Sequence, residues 1–480
     1  MMHTGKAAGR GRPAAAGVSS IFAQAIDGLR GEYFPTTTPS IAVALSGGLD
    51  SMVLLRVAHA HAREHGLNLS AFHVHHGLSP NADAWRGHCE RACRDLGVNF
   101  DARAVSVDKG KSGIEAAARK ARYAALGDMC RGHGIDLLLT AHHLDDQAET
   151  VLLQLLRGSG PAGLSGMDAA NRAPTLLGDD RLVIARPLLQ VARAGLEALA
   201  REEGIAWVVD VSNSDPRLAR NALRHTVMPA LAHAFPGFQQ RVARSGMHAQ
   251  SALRVLTEVA DQDLRRCLDG DAVDLAALRT LSTDRINNLL RHWFARRRLA
   301  MPSTAWMMEM IGQLFEARED AQLLVVHPEC HVRRHRERLY LVPRLPDLAG
   351  MRDPDDEGVI EKHAQAFAWR GEAALAFPDY GGVLHFDSAD RGVDPAWLRA
   401  QPLAIDFRKG GERLKLAPNR PSRSLKAHFQ ASGIPAWERT RLPVVSAGPD
   451  LLYAAGLGMD CRHLGEGSGR IALRWVAISA

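Results

Sequence analysis

The sequence predicts an α/β fold: a doubly wound, mostly parallel sheet, followed by a helical domain and a small α+β C-terminal domain. Three observations carry this reading. Apolar runs of strand length alternate with helical patterns over residues 21–230. The first run ends in the loop Ser46-Gly47-Gly48-Leu49-Asp50-Ser51, which opens a helix. The alternation then stops, and residues 231–345 read as mostly helical. A repeated β-α order of this kind places helices on both faces of a parallel sheet.

The elements follow in order. Ile41 to Leu45 is an apolar strand, and Met52-Val53-Leu54-Leu55 carries the loop into a helix. Ser70 to His75 is a second strand, Asn81 to Leu96 a helix, and Phe100 to Val107 a third strand. Ile114 to Arg131 is Ala-rich and helical. Asp136 to Ala141 is a compact apolar run, as a strand buried on both faces requires. Asp145 to Arg157 is helical, and Gly158-Ser159-Gly160-Pro161 stops it. Residues 346–395, with Pro346, Pro354 and the acids Asp353, Asp355, Asp356 and Glu357, read as a linker region. Residues 396–480 hold short β-like runs, such as Leu442 to Val445 and Arg470 to Val476.

Composition narrows the class. A chain of 480 residues with 46% hydrophobic content is large enough for several domains with real cores. No apolar run reaches the ~18 residues of a membrane span, which argues against a membrane protein. Residues 1–20 are basic and Ala/Gly-rich without an apolar centre, so they read as a disordered tail rather than a secretory signal. Six scattered cysteines without a C-x-x-C pair suit a reducing cytosol, so the expected location is cytoplasmic. The net charge of +6 is mild, and its distribution matters more than its size.

The loop is the strongest chemical signal. Two glycines and two serines at a helix N-terminus expose unpaired backbone N–H groups, and the helix dipole adds to their pull on phosphate. A Walker-type loop would carry a lysine. This one carries Asp50 instead. A carboxylate beside polyphosphate needs a cation between them, so Asp50 points to Mg²⁺.

A second constellation follows the Asp136–Ala141 strand: Thr140-Ala141-His142-His143-Leu144-Asp145-Asp146-Gln147-Ala148-Glu149-Thr150. Acids in the first turn of a helix are ordinary capping. Asp146 and Glu149 also stand at i,i+3 and share a face, which suits a metal or a cationic substrate. The His pair has no further ligands at zinc spacing, and His73, His75 and His76 line a strand end in the same way. Arg119 and Arg122 share a face of the Ala-rich helix, as phosphate binding or a solvated stripe would both produce. Ligands of parallel sheets bind beyond the carboxyl ends of the strands, so the loop and the His142 region can share one edge.

These blocks resemble the PP-loop, or N-type ATP pyrophosphatase, superfamily. More closely, the long stretch from Thr140 to Leu164, His73 to Leu78, Asp210 to Asp215 leading to Arg220-Asn221-Ala222-Leu223-Arg224, and Asp406 to Val445 resemble bacterial tRNA(Ile)-lysidine synthetases. The similarity covers most of residues 40–230 and 400–460. It implies that ATP adenylates the wobble cytidine of an isoleucine tRNA with a CAU anticodon, and that free L-lysine then displaces AMP. It further implies that Ser46, Gly47, Gly48, Leu49, Asp50 and Ser51 bind ATP and that Asp50 holds Mg²⁺. Arg119 and Arg122 would stabilise charge near the α-phosphate or the adenylated base, and Asp146 and Glu149 would hold the lysine ammonium. Ala116-Ala117-Ala118 departs from the family pattern beside Glu115, which weakens any role for that acid.

Three basic runs lie outside the first domain: Arg291 to Arg298, Arg333 to Arg338, and Arg408 to Lys426. They favour a polyanionic partner, and Arg296, Arg297, Arg420, Arg423 and Lys426 are the expected tRNA contacts. On this reading both 231–345 and 396–480 bind tRNA. The oligomeric state stays open, a homodimer included. Two rivals remain: another PP-loop enzyme, catalysing tRNA thiolation or small-molecule amidation, and a non-catalytic nucleotide-dependent RNA-binding protein. Paired reactive cysteines and a glutaminase-like Cys/His arrangement, which the rival enzymes call for, are not evident.

Overall fold

A computed structural model describes residues 14–75, 81–106, 114–209, 219–316, 323–344 and 364–478. The chain divides into two compact units, residues 1–258 and 259–480. In the first, α1 (Ala14–Tyr33) precedes β1 (Ile41–Ala44), α2 (Leu49–His65), β2 (Leu69–His75), α3 (Ala82–Leu96), β3 (Asn99–Ala104) and α4 (Ile114–Gly132). Then come β4 (Leu137–Leu139), α5 (Leu144–Leu156), α6 (Pro161–Leu164), β5 (Ala170–Arg172), α7 (Pro174–Leu177), β6 (Val183–Ala185) and α8 (Arg193–Glu202).

The strands form one six-stranded sheet in the order β3-β2-β1-β4-β6-β5. All pairs are parallel except β5 with β6. Side-chain alternation explains why the sheet is covered twice. Ile41 and Val43 of β1 and Leu137 and Leu139 of β4 pack on one face, against Val18, Phe22, Ile26 and Leu29 of α1 and the apolar side of α2. Ala42, Phe72 and Leu138 point the other way, against Leu126, Met129 and Cys130 of α4. A two-residue period thus feeds two cores, which is what doubly wound means physically.

β1 lies between β2 and β4, so the chain turns to opposite sides of the sheet from its centre. That switch opens a crevice at the carboxyl ends of β1 and β4. The loop Leu45–Gly48 leaves β1 there, and Thr140–His143 leaves β4.

The second unit is less helical than its sequence pattern suggests. Helices Thr283–Arg296 and Thr304–Glu316 pack on an antiparallel sheet built from 268–269, 272–274, 338–343, 330–335 and 324–326. Short strands with charged outward residues, as in Cys330–His335, hide from a period-two reading. Only Cys330, Val332 and Arg334 of that strand point inward, and one of the three is charged. The C-terminal part holds a five-stranded, a three-stranded and a two-stranded sheet.

Two expected boundaries move. Residues 14–20 do not belong to the expected tail, because α1 starts at Ala14 and Val18 is already buried in the core, while residues 1–13 lie outside the described residues. Residues 365–392 do not belong to the expected linker, because Gln365–Phe367, Ala374–Phe377 and Gly382–Gly392 are strands of the C-terminal sheets. The Gly- and charge-rich composition of this stretch concealed them. The acidic run Asp353–Glu357 lies outside the described residues, as does Asp210–Asp215. Among the described residues no helix is long and apolar enough to cross a membrane.

Gly127 shows how tightly α4 is seated. A Cβ there would lie 1.8 Å from the backbone oxygen of Leu177. Gly127→Ala should therefore destabilise the first unit by about 1–3 kcal/mol through overpacking. A urea unfolding curve reads this as a lower midpoint, and an unchanged midpoint would contradict the close approach.

Candidate active site

The loop is built to hold bare N–H groups in place. Gly47 has φ +86°, and a Cβ there would come within 3.1 Å of both Cys89 Sγ and Val208 Cγ2. Glycine is required on both counts. Gly48 precedes α2 without a side-chain cap, which leaves the first N–H groups of that helix for a ligand. Ser51 Oγ donates to Gly48 O at 2.9 Å and accepts from Ser46 N at 3.2 Å, and the two hydroxyls of Ser46 and Ser51 lie 3.0 Å apart. The serines thus brace the turn. Leu49 contributes its backbone, while its side chain is buried in the core.

Asp50 and His143 join the two halves of the crevice. His143 caps α5: its Nδ1 accepts from Asp146 N at 3.3 Å, and its own N–H donates to Asp146 Oδ2 at 3.2 Å. That cap fixes the neutral tautomer with hydrogen on Nε2. Nε2 lies 3.7 Å from Asp50 Oδ1 and 3.5 Å from Asp146 Oδ2. Burial drives the Asp50 carboxyl upward, but His143 together with Arg193 and Arg224 outweighs it, so its pKa falls below the ordinary value. Burial lowers the His143 pKa, and Asp50, Asp146 and Asp145 more than restore it, for a net rise. Asp50 Oδ1 is buried without a hydrogen bond.

Asp145 and Asp146, neighbours in sequence, do different things. Asp145 Oδ2 accepts from Arg193 N at 2.9 Å and so holds the start of α8. Gln239 donates to its other oxygen at 3.3 Å. Asp146 turns into the cleft. Its Oδ1 accepts from Arg224 Nη2 at 3.0 Å.

Glu149 is 1% exposed and does not line the cleft. Arg220 Nε donates to its Oε2 at 2.8 Å and Arg224 Nε to its Oε1 at 2.5 Å. Both oxygens are engaged by guanidiniums, so the expected direct hold of Glu149 on a lysine ammonium is replaced by a hold on two arginines. Arg224 stands in a π-helical turn, Leu223–Val227, which follows the short helix Ala219–Ala222. Such turns occur often at functional sites.

The result is a cleft of about 650 Å³. Ser46, Gly48, Asp50 and Ser51 line one wall, and Arg119, Arg122, Asp146, Arg220 and Arg224 line the others. Arg119 and Arg122 both stack on Tyr123, with Cζ 4.7 Å and 5.7 Å from the ring centroid. Burial, and then Arg119, lowers the Arg122 pKa, although Tyr123 acts in the opposite sense. Sequence reasoning found Arg119, Arg122, Asp50 and Asp146. It gave no role to Arg220, Arg224, His142 or His143. The signal was present in the first two, since i,i+4 arginines on one helix face meet the same partner.

Family comparisons fit this order of parts. Residues 19–231 match a PP-loop domain, 274–340 a TilS substrate binding domain, and 403–475 a TilS substrate C-terminal domain. A tRNA(Ile)-lysidine synthase of Ralstonia nicotianae is 43% identical over 436 residues, 90% of this chain and 91% of that protein. The chain belongs to the tRNA(Ile)-lysidine synthase family. Another tRNA(Ile)-lysidine synthase, from Alkalilimnicola ehrlichii, is 41% identical over 420 residues, 87% of this chain and 89% of that protein. A crystal structure of a TilS C-terminal domain aligns at 25% identity and TM-score 0.21, over 25% of this chain and all of that one.

The five basic residues assigned to nucleic acid differ in freedom. Arg296 pairs with Asp261 at 3.3 Å and Arg297 with Asp271 at 2.8 Å. Arg420, Arg423 and Lys426 are exposed, and Arg420 and Arg423 form no ion pair with any described residue. The Arg333–Arg338 run is largely structural: Arg334 is buried and pairs with Glu337 at 2.7 Å, and Arg338 pairs with Asp269.

Glu149→Gln should leave two guanidiniums facing a neutral amide. The expected cost is about 1–3 kcal/mol of stability in urea unfolding, with tRNA adenylation and lysine transfer both impaired because two cleft arginines lose their anchor. Loss of lysine transfer alone would return Glu149 to a direct lysine contact.

Proposed function

We propose that the chain is an ATP-dependent ligase that forms lysidine on tRNA(Ile), with release of pyrophosphate and then AMP. The observation that carries this reading is the cleft that joins an anion-binding helix start, a carboxylate with one buried oxygen that lacks a hydrogen bond, and four arginines. A cleft so rich in donors suits a polyphosphate, and the family suits the tRNA.

The chemistry follows in two steps. The 2-carbonyl oxygen of the wobble cytidine, in a CAU anticodon, attacks the α-phosphorus of ATP, and pyrophosphate leaves. The ε-amine of L-lysine then attacks C2 of the adenylated base, and the C–O bond to AMP breaks. The N–H groups at the start of α2, those of Leu49 and Ser51 among them, and the Ser46 hydroxyl hold phosphate oxygens, while Gly47, Gly48 and Ser51 Oγ shape the turn. Arg119 and Arg122 spread charge that develops at the α-phosphate. Lysine arrives with a pKa near ~10.4, so its ammonium must lose a proton before attack. Asp146 holds that ammonium and accepts the proton as the C–N bond forms. Its carboxylate retains lone pairs beyond those used by Arg224 and His143.

Asp50 fits Mg²⁺, because its buried Oδ1 accepts no hydrogen bond from any described residue and has the His143 ring beside it at 3.7 Å, and Mg²⁺ pairs few carboxylates with substrate phosphates. Bound there, the ion would neutralise charge on departing pyrophosphate. Asp50→Asn should slow pyrophosphate release on the order of 100-fold. Near-normal release would remove the Mg²⁺ assignment.

The tRNA grip rests chiefly on the C-terminal patch. Reversing Arg420 and Arg423 to Glu should weaken tRNA binding and reduce the slope of log affinity against log salt by roughly 1.5. Unchanged binding and slope would move the interface elsewhere. The function as a whole is tested with ATP, radiolabelled lysine and bulk bacterial tRNA. Label should enter one isoacceptor, and label in none would refute it.

A further inference from the structure

His142 lines the same cleft and has no part in the steps above. Its hydrogen-bond partners assign which of its nitrogens carries hydrogen. Thr140 Oγ1 donates to Ala185 O at 3.3 Å, because a carbonyl can only accept. Toward His142 Nδ1, 2.9 Å away, the same hydroxyl therefore accepts. Nδ1 carries the hydrogen, and Nε2 is a bare lone pair that bonds to no described residue. Protonation does not fill it. Burial, then Arg186, Arg119, Arg220 and Arg122, push the imidazole pKa down to about 3. The ring stays neutral at any physiological pH.

An acceptor here stands against its setting. The charged groups that act on the ring, Arg186, Arg119, Arg220 and Arg122, are guanidiniums, which only donate. Alone, such a wall would prefer a base with a carbonyl at C4, which is uridine. Asp146 offers oxygens, but the lone pairs that Arg224 and the His143 N–H leave on them are the ones that hold the lysine ammonium. We infer that His142 Nε2 accepts a hydrogen bond from the 4-amino group of the wobble cytosine, and so sets the preference for cytidine over uridine. This rests on the function proposed above. Uridine would present a carbonyl oxygen to a lone pair that cannot donate, and a site built for an N–H rejects an analogue that lacks one far better than a site of shape alone.

The test is a cycle between side chain and base. Anticodon-bearing transcripts carry cytidine, uridine or the pyrimidin-2-one riboside, which keeps the 2-carbonyl but lacks the 4-amino group. Pyrophosphate release is compared for the wild-type chain, His142→Ala and His142→Gln. The wild type should prefer cytidine to pyrimidin-2-one by at least ~10-fold. In His142→Ala that ratio should fall several-fold, to the difference that the intrinsic nucleophilicity of the two 2-carbonyls leaves, because the acceptor is gone. His142→Gln, whose amide oxygen can accept, should keep part of it, and it serves as the readout if the alanine variant does not fold. A ratio unchanged in His142→Ala and His142→Gln overturns the inference. A collapse of the preference for ATP over purine riboside triphosphate, with the wobble ratio intact, also overturns it by assigning Nε2 to adenine. Wild-type enzyme that fails on cytidine itself refutes the proposed function, whereas wild-type success with unaltered variant ratios refutes only the role of His142.

Discussion

The buried carboxylate of Glu149 organises the site. It accepts from Arg220 at 2.8 Å and Arg224 at 2.5 Å while almost fully hidden from solvent. A carboxylate so buried is costly without partners, and each guanidinium removes part of that cost. The same bonds tie α5, which begins at the sheet edge, to the π-helical turn that carries Arg224. Two cations are thereby fixed on the cleft wall, although neither their helix nor their turn belongs to the sheet. Asp146, one turn earlier on α5, shares Arg224 and faces the ligand space. One carboxylate supports and the other is left to act.

The cap on α5 extends this order to the phosphate loop. His143 spends its Nδ1 on the Asp146 backbone, so its Nε2–H is aimed between Asp50 and Asp146. The imidazole separates two carboxylates that would otherwise repel across the crevice. Asp50 stays ionised as a consequence, and an ionised Asp50 is what a cation bridging to phosphate requires. The loop from β1 and the helix after β4 are coupled through one ring, which is possible because β1 and β4 are adjacent parallel strands in register, Ile41 opposite Leu137.

Much of this was legible in the sequence. The loop announced itself through two glycines and a missing lysine, and the β-α alternation gave the sheet. Asp146 and Glu149 at i,i+3 were correctly read as one face, yet sequence could not say which would be buried. That depends on Arg220 and Arg224, about seventy residues on, whose meeting with α5 is a tertiary fact. His143 drew no role in sequence, because the His pair lacks further ligands at zinc spacing. Its capping role is visible only once Asp146 N is seen to donate to it. In the second unit, strands such as Cys330–His335 put Arg334 inward, so hydrophobic alternation failed where a buried charge replaced an apolar residue.

On the proposed reaction, one cleft must favour opposite charges in turn. Polyphosphate enters first, and the arginines with the helix start favour it. Lysine enters as a cation, which the same arginines repel. Asp146 offsets that repulsion at one point, and the surrounding guanidiniums favour the neutral amine over the ammonium everywhere else. The conflict is useful, because the amine must be neutral to attack. An ammonium held by Asp146 in a positive field gives up its proton more readily than one held by Asp146 alone. The arginines that receive ATP thus also ready the nucleophile that consumes the adenylate, and Glu149 serves both steps by keeping two of them in place.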